Sequence, residues 1–408
     1  MTQDITPISD TRVGRIAGPP QGLLLVSISC LSVLGAVLLA PAQPRMLEEF
    51  ADTASATWLV PMVVTTPALM VGLLAAGAGR IVDAVGRLRL LTAALVLYAI
   101  CGTAPILLDS LVSIVVSRVG VGIAEAALMT CCTTLIADYF DGKRRARYFG
   151  LQVVFTSLSA VLFIGLGGGL AQVGWRAPFF AYAVGIVFAI AVPFVLFSPK
   201  TAPVRSIRTE LSPMRWRALA GPLAITVFGG IVFYTPIVEI PLALSDVGIT
   251  GSGAIGLVSA LAAVATAIGA ISFSRVASLG PKLLLPTAFG TAGVGVVVIG
   301  TAAGPVIVAV GGIIASAGCG VLLPTLLTWV LGTLDEDQRG RGTGAWTACL
   351  FIGQFLSALV VLALGAVLGG LSAALIAVGV ISIVLAFLAT RMSAVRMAVP
   401  AFESDSVS

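Results

Sequence analysis

Residues 116 to 140 read VSRVGVGIAEAALMTCCTTLIADYF. An α-helix needs about 20 residues to cross the ~30 Å hydrocarbon core of a bilayer, and this run is long enough and apolar enough apart from Arg118 and Glu125. A charge at the centre of a helix in lipid costs at least ~2.5 kcal/mol on insertion scales. The two charges therefore belong on a face turned away from lipid, toward protein or a wet cavity.

The rest of the chain fits that solvent. Of 408 residues, 58% are hydrophobic and only 10% charged, and the mean hydropathy is +1.11. A water-soluble fold has nowhere to put that much apolar surface. A transmembrane β-barrel would alternate apolar and polar residues over short segments, whereas the apolar runs here are unbroken. Twelve helical spans are expected, at 21-43, 56-78, 89-107, 110-137, 149-172, 178-198, 218-243, 252-273, 282-301, 304-331, 344-368 and 371-390. Asp4, Asp10, Arg12 and Arg15 precede the first apolar run, the wrong order for a cleaved signal peptide, so the first span is expected to be retained.

With an even number of spans and a cytoplasmic N-terminus, all of the 23 Lys and Arg except Arg45, Arg118 and Arg176 fall on the cytoplasmic side. That bias sets both termini cytoplasmic in the cell membrane and accounts for the net charge of +5 without a nucleic-acid partner. The six cysteines lie in spans with no CxxC pair, and there is no histidine. A metal site, a disulfide framework and His-dependent nucleophilic catalysis are therefore not expected. No G-x4-G-K-[ST] loop is present either, so no nucleotide and no other cofactor is implied.

Two loops share one pattern. DGKRRARYFG at 141 to 150 and DEDQRGRGTG at 335 to 344 both obey D-x-x-x-R-x-R-x-x-G, at an offset of 194 residues. The chain accordingly divides into a tail (1-20), a six-helix half (21-198), a linker (199-217), a second half (218-396) and a tail (397-408), the arrangement of a secondary transporter with a central site. In this register Arg118 corresponds to Gly312 and Glu125 to Cys319, so the charges belong to one half only.

Several motifs carry a resemblance. GRIVDAVGRLRLL at 79 to 91 resembles the G-x-x-x-D-x-x-G-R signature of the major facilitator superfamily, with Gly79, Asp83, Gly86 and Arg87 on its defining positions and Ala84 where a basic residue is usual. LGAVLLAPAQP at 34 to 44, together with Arg118 and Gly122, is similar to motifs of the twelve-helix drug/proton antiporter branch. GWRAPF at 174 to 179 and RGRGTG at 339 to 344 are also superfamily-like. The resemblance implies an all-α membrane fold of two six-helix halves, no enzymatic activity, and proton-coupled efflux of small amphipathic or cationic compounds by a monomer. Span five departs from the antiporter pattern: FIGLGGG at 163 to 169 lacks its Gly-Pro. GIAEAA at 122 to 127 is similar instead to spinster-like lipid transporters. Uptake or export of a specific metabolite, or lipid transport, is the alternative; a non-transporting sensor would need a signalling tail.

Site residues follow. Arg118 and Glu125 lie almost two turns apart, on one helix face about 10 Å from each other along the axis. Counting from Asp109 and Asp138 puts Glu125 near the midplane. A buried carboxylate changes its proton affinity with desolvation and neighbouring charge, so Glu125 is the expected proton-coupling and cation-attracting group, with Arg118 tuning its charge. Asp83 is expected at the start of span three, and Arg87 to pair with Asp138 in a cytoplasmic gate. Glu239, Tyr234, Gln152 and Gln354 are the further candidates for the substrate cavity, Pro41 and Pro44 for a broken helix end, and Trp58 and Trp175 for interfacial anchors.

Overall fold

A computed structural model of the chain describes residues 17-75, 77-197, 214, 216-335 and 338-391, apart from the side chains of residues 78, 80, 83 and 84. Twelve helices among them are long and apolar enough to cross a membrane, and no strand occurs among the described residues. The first six spans are Pro19–Glu49, Ala56–Ala75, Arg87–Ile106, Leu111–Tyr139, Gly142–Ala171 and Ala177–Val195. Spans seven to twelve are Trp216–Asp246, Ser252–Leu279, Pro281–Gly300, Pro305–Gly332, Arg339–Leu368 and Leu371–Arg391. Large side chains such as Leu158, Leu162 and Phe194 remain exposed on the outside of the bundle, as befits surface that meets lipid. The two tails and most of the 199-217 linker lie outside the described residues.

The packing repeats between halves. Span two packs on four as eight packs on ten; three packs on four and six as nine packs on ten and twelve; one packs on five as seven packs on eleven. The halves meet through two equivalent pairs, span two on eleven and span five on eight. That pattern is a pseudo-twofold axis along the membrane normal, the parallel-repeat arrangement of two six-helix halves.

With twelve spans, span one begins and span twelve ends on the same face, here the terminal end; the opposite face is the far end. At the far end, Gly168 of span five and Gly256 of span eight meet backbone to backbone: a Cβ built on Gly168 would lie 2.6 Å from Gly256 Cα. Small residues are what allow such approach in membranes.

Span one is not a simple helix. It runs as Pro19–Ser29 and Leu31–Val37, tightens to a 3-10 turn at Ala40–Ala42, and resumes at Gln43–Glu49. A proline cannot donate to the carbonyl four residues before it, so Pro44 frees that of Ala40. Gln43, fully buried, donates its Nε2 to Ala40 O at 3.3 Å and to Val238 O of span seven at 3.0 Å. Broken backbone at membrane depth is thus enclosed by protein. In span seven Pro236 frees the Val232 carbonyl, and Cys319 Sγ lies 3.6 Å from it.

The chain between spans two and three differs from expectation. Asp83 does not start span three; it lies in a separate short helix, Ala78–Val85, and Gly86, with φ of 91°, turns the chain before Arg87 begins the span. Trp175 also departs from the interfacial role. It is buried against Phe50 and Phe179 under the Arg176 guanidinium, whereas Trp58 is exposed.

Candidate functional site

A cavity of about 420 Å³ lies between the halves, bordered by spans one, two, four, five, seven, eight, ten and eleven. Its walls are mainly Ala, Val, Ile and Pro, with Phe233, Tyr234, Phe351 and Met129, and a few hydroxyls. Among the described lining residues Glu125 carries the single charge. Its side chain is nearly fully buried, and its Oε1 accepts no hydrogen bond. The carboxylate rests against Gly35 of span one, where a Cβ would overlap Oε1. Tyr98, Tyr182 and Tyr234 stand within electrostatic range of it.

Arg118 points elsewhere. Its Nη2 donates to Cys101 O at 2.6 Å and to Gly102 O at 3.1 Å, the carbonyl end of span three. Those carbonyls belong to the last turn of a helix, where four lack intrahelical partners and cations are favoured. The guanidinium carbon also lies 5.1 Å and 5.0 Å from the ring centroids of Phe179 and Tyr182 on span six, a cation–π arrangement. No ion pair joins Arg118 to Glu125 among the described residues, although each lies in the other's field. A long side chain leaning toward its helix N-terminus moves away from a residue seven positions later.

The other candidates separate. Tyr234 and Gln354 border the cavity, and the Tyr234 hydroxyl donates to Ala36 O at 2.7 Å across the halves. Gln152 does not border it; its Nε2 donates to Ser29 Oγ at 2.9 Å between spans five and one. Glu239 is also absent from the lining and is buried behind the wall formed by its neighbours Ile237 and Ile240. A helix turns about 100° per residue, so Glu239 leaves the face those two share. Gly122, the other residue of the antiporter-like motif in span four, abuts Pro67 and Met70 of span two.

The cavity is unevenly placed along the bundle. Tyr234–Ala36 and Gln43–Val238 tie span one to span seven toward the far end. Lining residues Met129, Ala270 and Pro324 extend the space toward the terminal end.

The sequence model of the Major Facilitator Superfamily matches residues 25–254, more than half of the chain. The chain belongs to the Major Facilitator Superfamily. Quinolone resistance protein NorA of Staphylococcus aureus is 26% identical over 201 residues, 48% of this chain and 51% of that protein. Multidrug transporter protein MdtP of Bacillus subtilis is 25% identical over 268 residues, 64% of this chain and 44% of that one. The chain thus spans about half the length of the curated relatives it matches. Among solved structures, a bacterial homologue of the human lysosomal transporter Spinster, inward-facing and occupied, superimposes with TM-score 0.75 at 17% identity, covering 92% of this chain and 98% of that one. The nucleoside transporter NupG gives 0.70 at 12% identity, covering 91% and 100%. At these identities the likeness concerns the fold.

Within this Major Facilitator Superfamily chain the signature region is partly described. Arg87 Nε lies 2.9 Å from Asp138 Oδ2 at the terminal ends of spans three and four, while the Asp83 side chain lies outside the described residues. Gly79 falls in the short helix and Gly86 at its turn. Gln43, Tyr98 and Tyr182 were not singled out in the sequence, and Gly35 entered it only as part of the motif at 34 to 44. Of those three, Gln43 had a visible signal, a polar residue between the prolines 41 and 44 in an apolar run.

Proposed function

We propose that the protein is a secondary transporter that exports small amphipathic or cationic compounds in exchange for protons, with Glu125 as the group both compete for. The observation carrying this reading is a single carboxylate, without a hydrogen bond to one of its oxygens, in the wall of a mainly apolar chamber between two halves. An apolar chamber takes up the hydrophobic body of a ligand, and an unpartnered buried carboxylate is stabilised by a proton or by an organic cation. Binding one excludes the other, which couples their movements. Rocking of the 21-198 and 218-396 halves, joined by the 199-217 linker, would expose Glu125 to each side in turn. Both termini would be cytoplasmic in the plasma membrane, and a monomer holds a complete chamber.

The names of the relatives, quinolone resistance and multidrug transport, support export of drug-like compounds. The residues assigned are Glu125 for exchange, Tyr234 and Gln354 for substrate contact, and Arg87 with Asp138, beside Asp83, for the terminal-end gate. Arg118 sets the field at Glu125 from a distance. In proteoliposomes under an imposed pH gradient, wild type should drive a lipophilic cation and Glu125→Gln should not. Equal transport by both would overturn the assignment of Glu125. Wild-type movement of neutral amphiphiles alone would favour the metabolite or lipid alternative.

A further inference from the structure

Spans three and six cross closely at Ala99 and Gly185, where a Cβ on Gly185 would lie 2.9 Å from Leu95 O and 3.3 Å from Ala99 Cβ. Toward the terminal end they part, leaving a groove on the outside of the bundle between Leu88–Ile100 and Val192–Phe197. The equivalent helices of the other half, nine and twelve, stay together. Applying the offset of 194, Gly293 and Gly379 repeat the crossing, with a Cβ on Gly293 2.7 Å from Gly379 O. Ser382 Oγ then donates to Phe289 O at 2.8 Å, and a Cβ on Gly290 would lie 3.8 Å from Ala386 Cβ. In the first half these four positions hold Phe188, Leu95, Val96 and Val192. Bulk thus replaces the glycine, alanine and serine that let helices nine and twelve close.

The groove has a length and a charged mouth. Arg89 to Ile100 spans about 16 Å along a helix, close to half of a ~30 Å hydrocarbon core. Arg89, at its terminal-end mouth, is exposed and forms no hydrogen bond or ion pair among the described residues, whereas its neighbour Arg87 is paired with Asp138. The position matching Arg89 in the other half is Leu283, with Lys282 beside it.

We propose that this groove binds one acyl chain of an anionic glycerophospholipid, with its phosphate on Arg89. The walls supply apolar contact, which any lipid chain satisfies, the one hydroxyl among them, that of Thr92, donating to Leu88 O; the Arg89 guanidinium, without a partner among the described residues, supplies the selectivity, since a basic residue near a membrane surface favours anionic lipid.

The test is native mass spectrometry of the purified full chain in detergent with equal phosphatidylglycerol and phosphatidylcholine. Wild type should retain phosphatidylglycerol about fivefold over phosphatidylcholine, the factor one basic residue gives near the surface. Arg89→Gln should bring the ratio near one, Lys282→Gln should leave it unchanged, and Ala93→Phe, which fills the groove, should reduce retention of both lipids. Glycerol phosphate without chains should not compete. No preference in wild type, a preference surviving in Arg89→Gln, an equal loss in Lys282→Gln or competition by glycerol phosphate would each overturn the proposal. If Ala93→Phe fails to fold, the comparison of exposed Arg89 and Lys282 still decides.

Discussion

The hydroxyl of Tyr234 donates to the backbone carbonyl of Ala36 at 2.7 Å, so one wall of the chamber is also a tie between its two halves. A buried hydrogen bond contributes about 1 kcal/mol, a factor of about five in a two-state equilibrium. Tyr234→Phe should therefore open the far end more often. The check is thiol labelling of Ala40→Cys, in a background without native cysteines, with an impermeant reagent applied from the far side: labelling should accelerate by about fivefold. An unchanged rate would mean that the bond does not hold that end closed.

Cation binding should weaken in acid. A cation is attracted by the ionised carboxylate, and a proton on Glu125 removes that charge. Below the pKa of the group, the affinity for a monovalent lipophilic cation should fall about tenfold per pH unit. Equilibrium binding across pH measures it. In Glu125→Gln the affinity should be low and independent of pH, while a neutral compound of the same shape should show no pH dependence in either protein.

Gly35→Ala offers a way to disturb Glu125 without removing it. The added methyl would occupy the place of Oε1, forcing the carboxylate to another rotamer or span one outward; such overpacking costs about 1 to 3 kcal/mol. Cation transport should drop severalfold in vesicles while expression stays near normal. Undiminished transport would show that the carboxylate works equally well from another position.

Arg118→Lys separates two roles of the arginine. Lysine keeps the positive charge but lacks the planar fork that meets Cys101 O and Gly102 O and the flat face beside Phe179 and Tyr182. The substitution should lower the thermal midpoint in detergent, with a loss of about 2 kcal/mol for the missing charge-assisted bond. The pH dependence of cation binding should shift little. A stable Arg118→Lys protein with a displaced pH profile would reverse that assignment.

Much of this arrangement is legible from residue order. Twelve spans follow from the apolar runs, and the pairing of Arg87 with Asp138 follows from two opposite charges placed at the same membrane depth on adjacent spans. The two related halves follow from the repeated loop. Which way a side chain turns does not follow. Arg118 and Glu125 share a stripe of span four by count, yet Arg118 leans back to the end of span three, and only the position of that helix end reveals why. Glu239 and Ile240 are adjacent in sequence, and one hides behind the chamber wall that the other helps build. Helix period alone cannot choose between those faces when every face is apolar and the neighbours are unknown. Gln43 lies between these cases: the proline after it announces a carbonyl in need of a donor, but Val238 enters only through the fold.

The contact of Gly168 with Gly256 joins the halves by main chain alone. Interlocked side chains resist sliding because ridges must climb out of grooves, and they favour discrete resting angles. Two bare backbones present nothing to unmesh. That contact is therefore a bearing surface, able to hold its distance while the angle changes, and what resists the turn comes from its neighbours, the Gln172 side chain against Gly253 and the Tyr234–Ala36 tie.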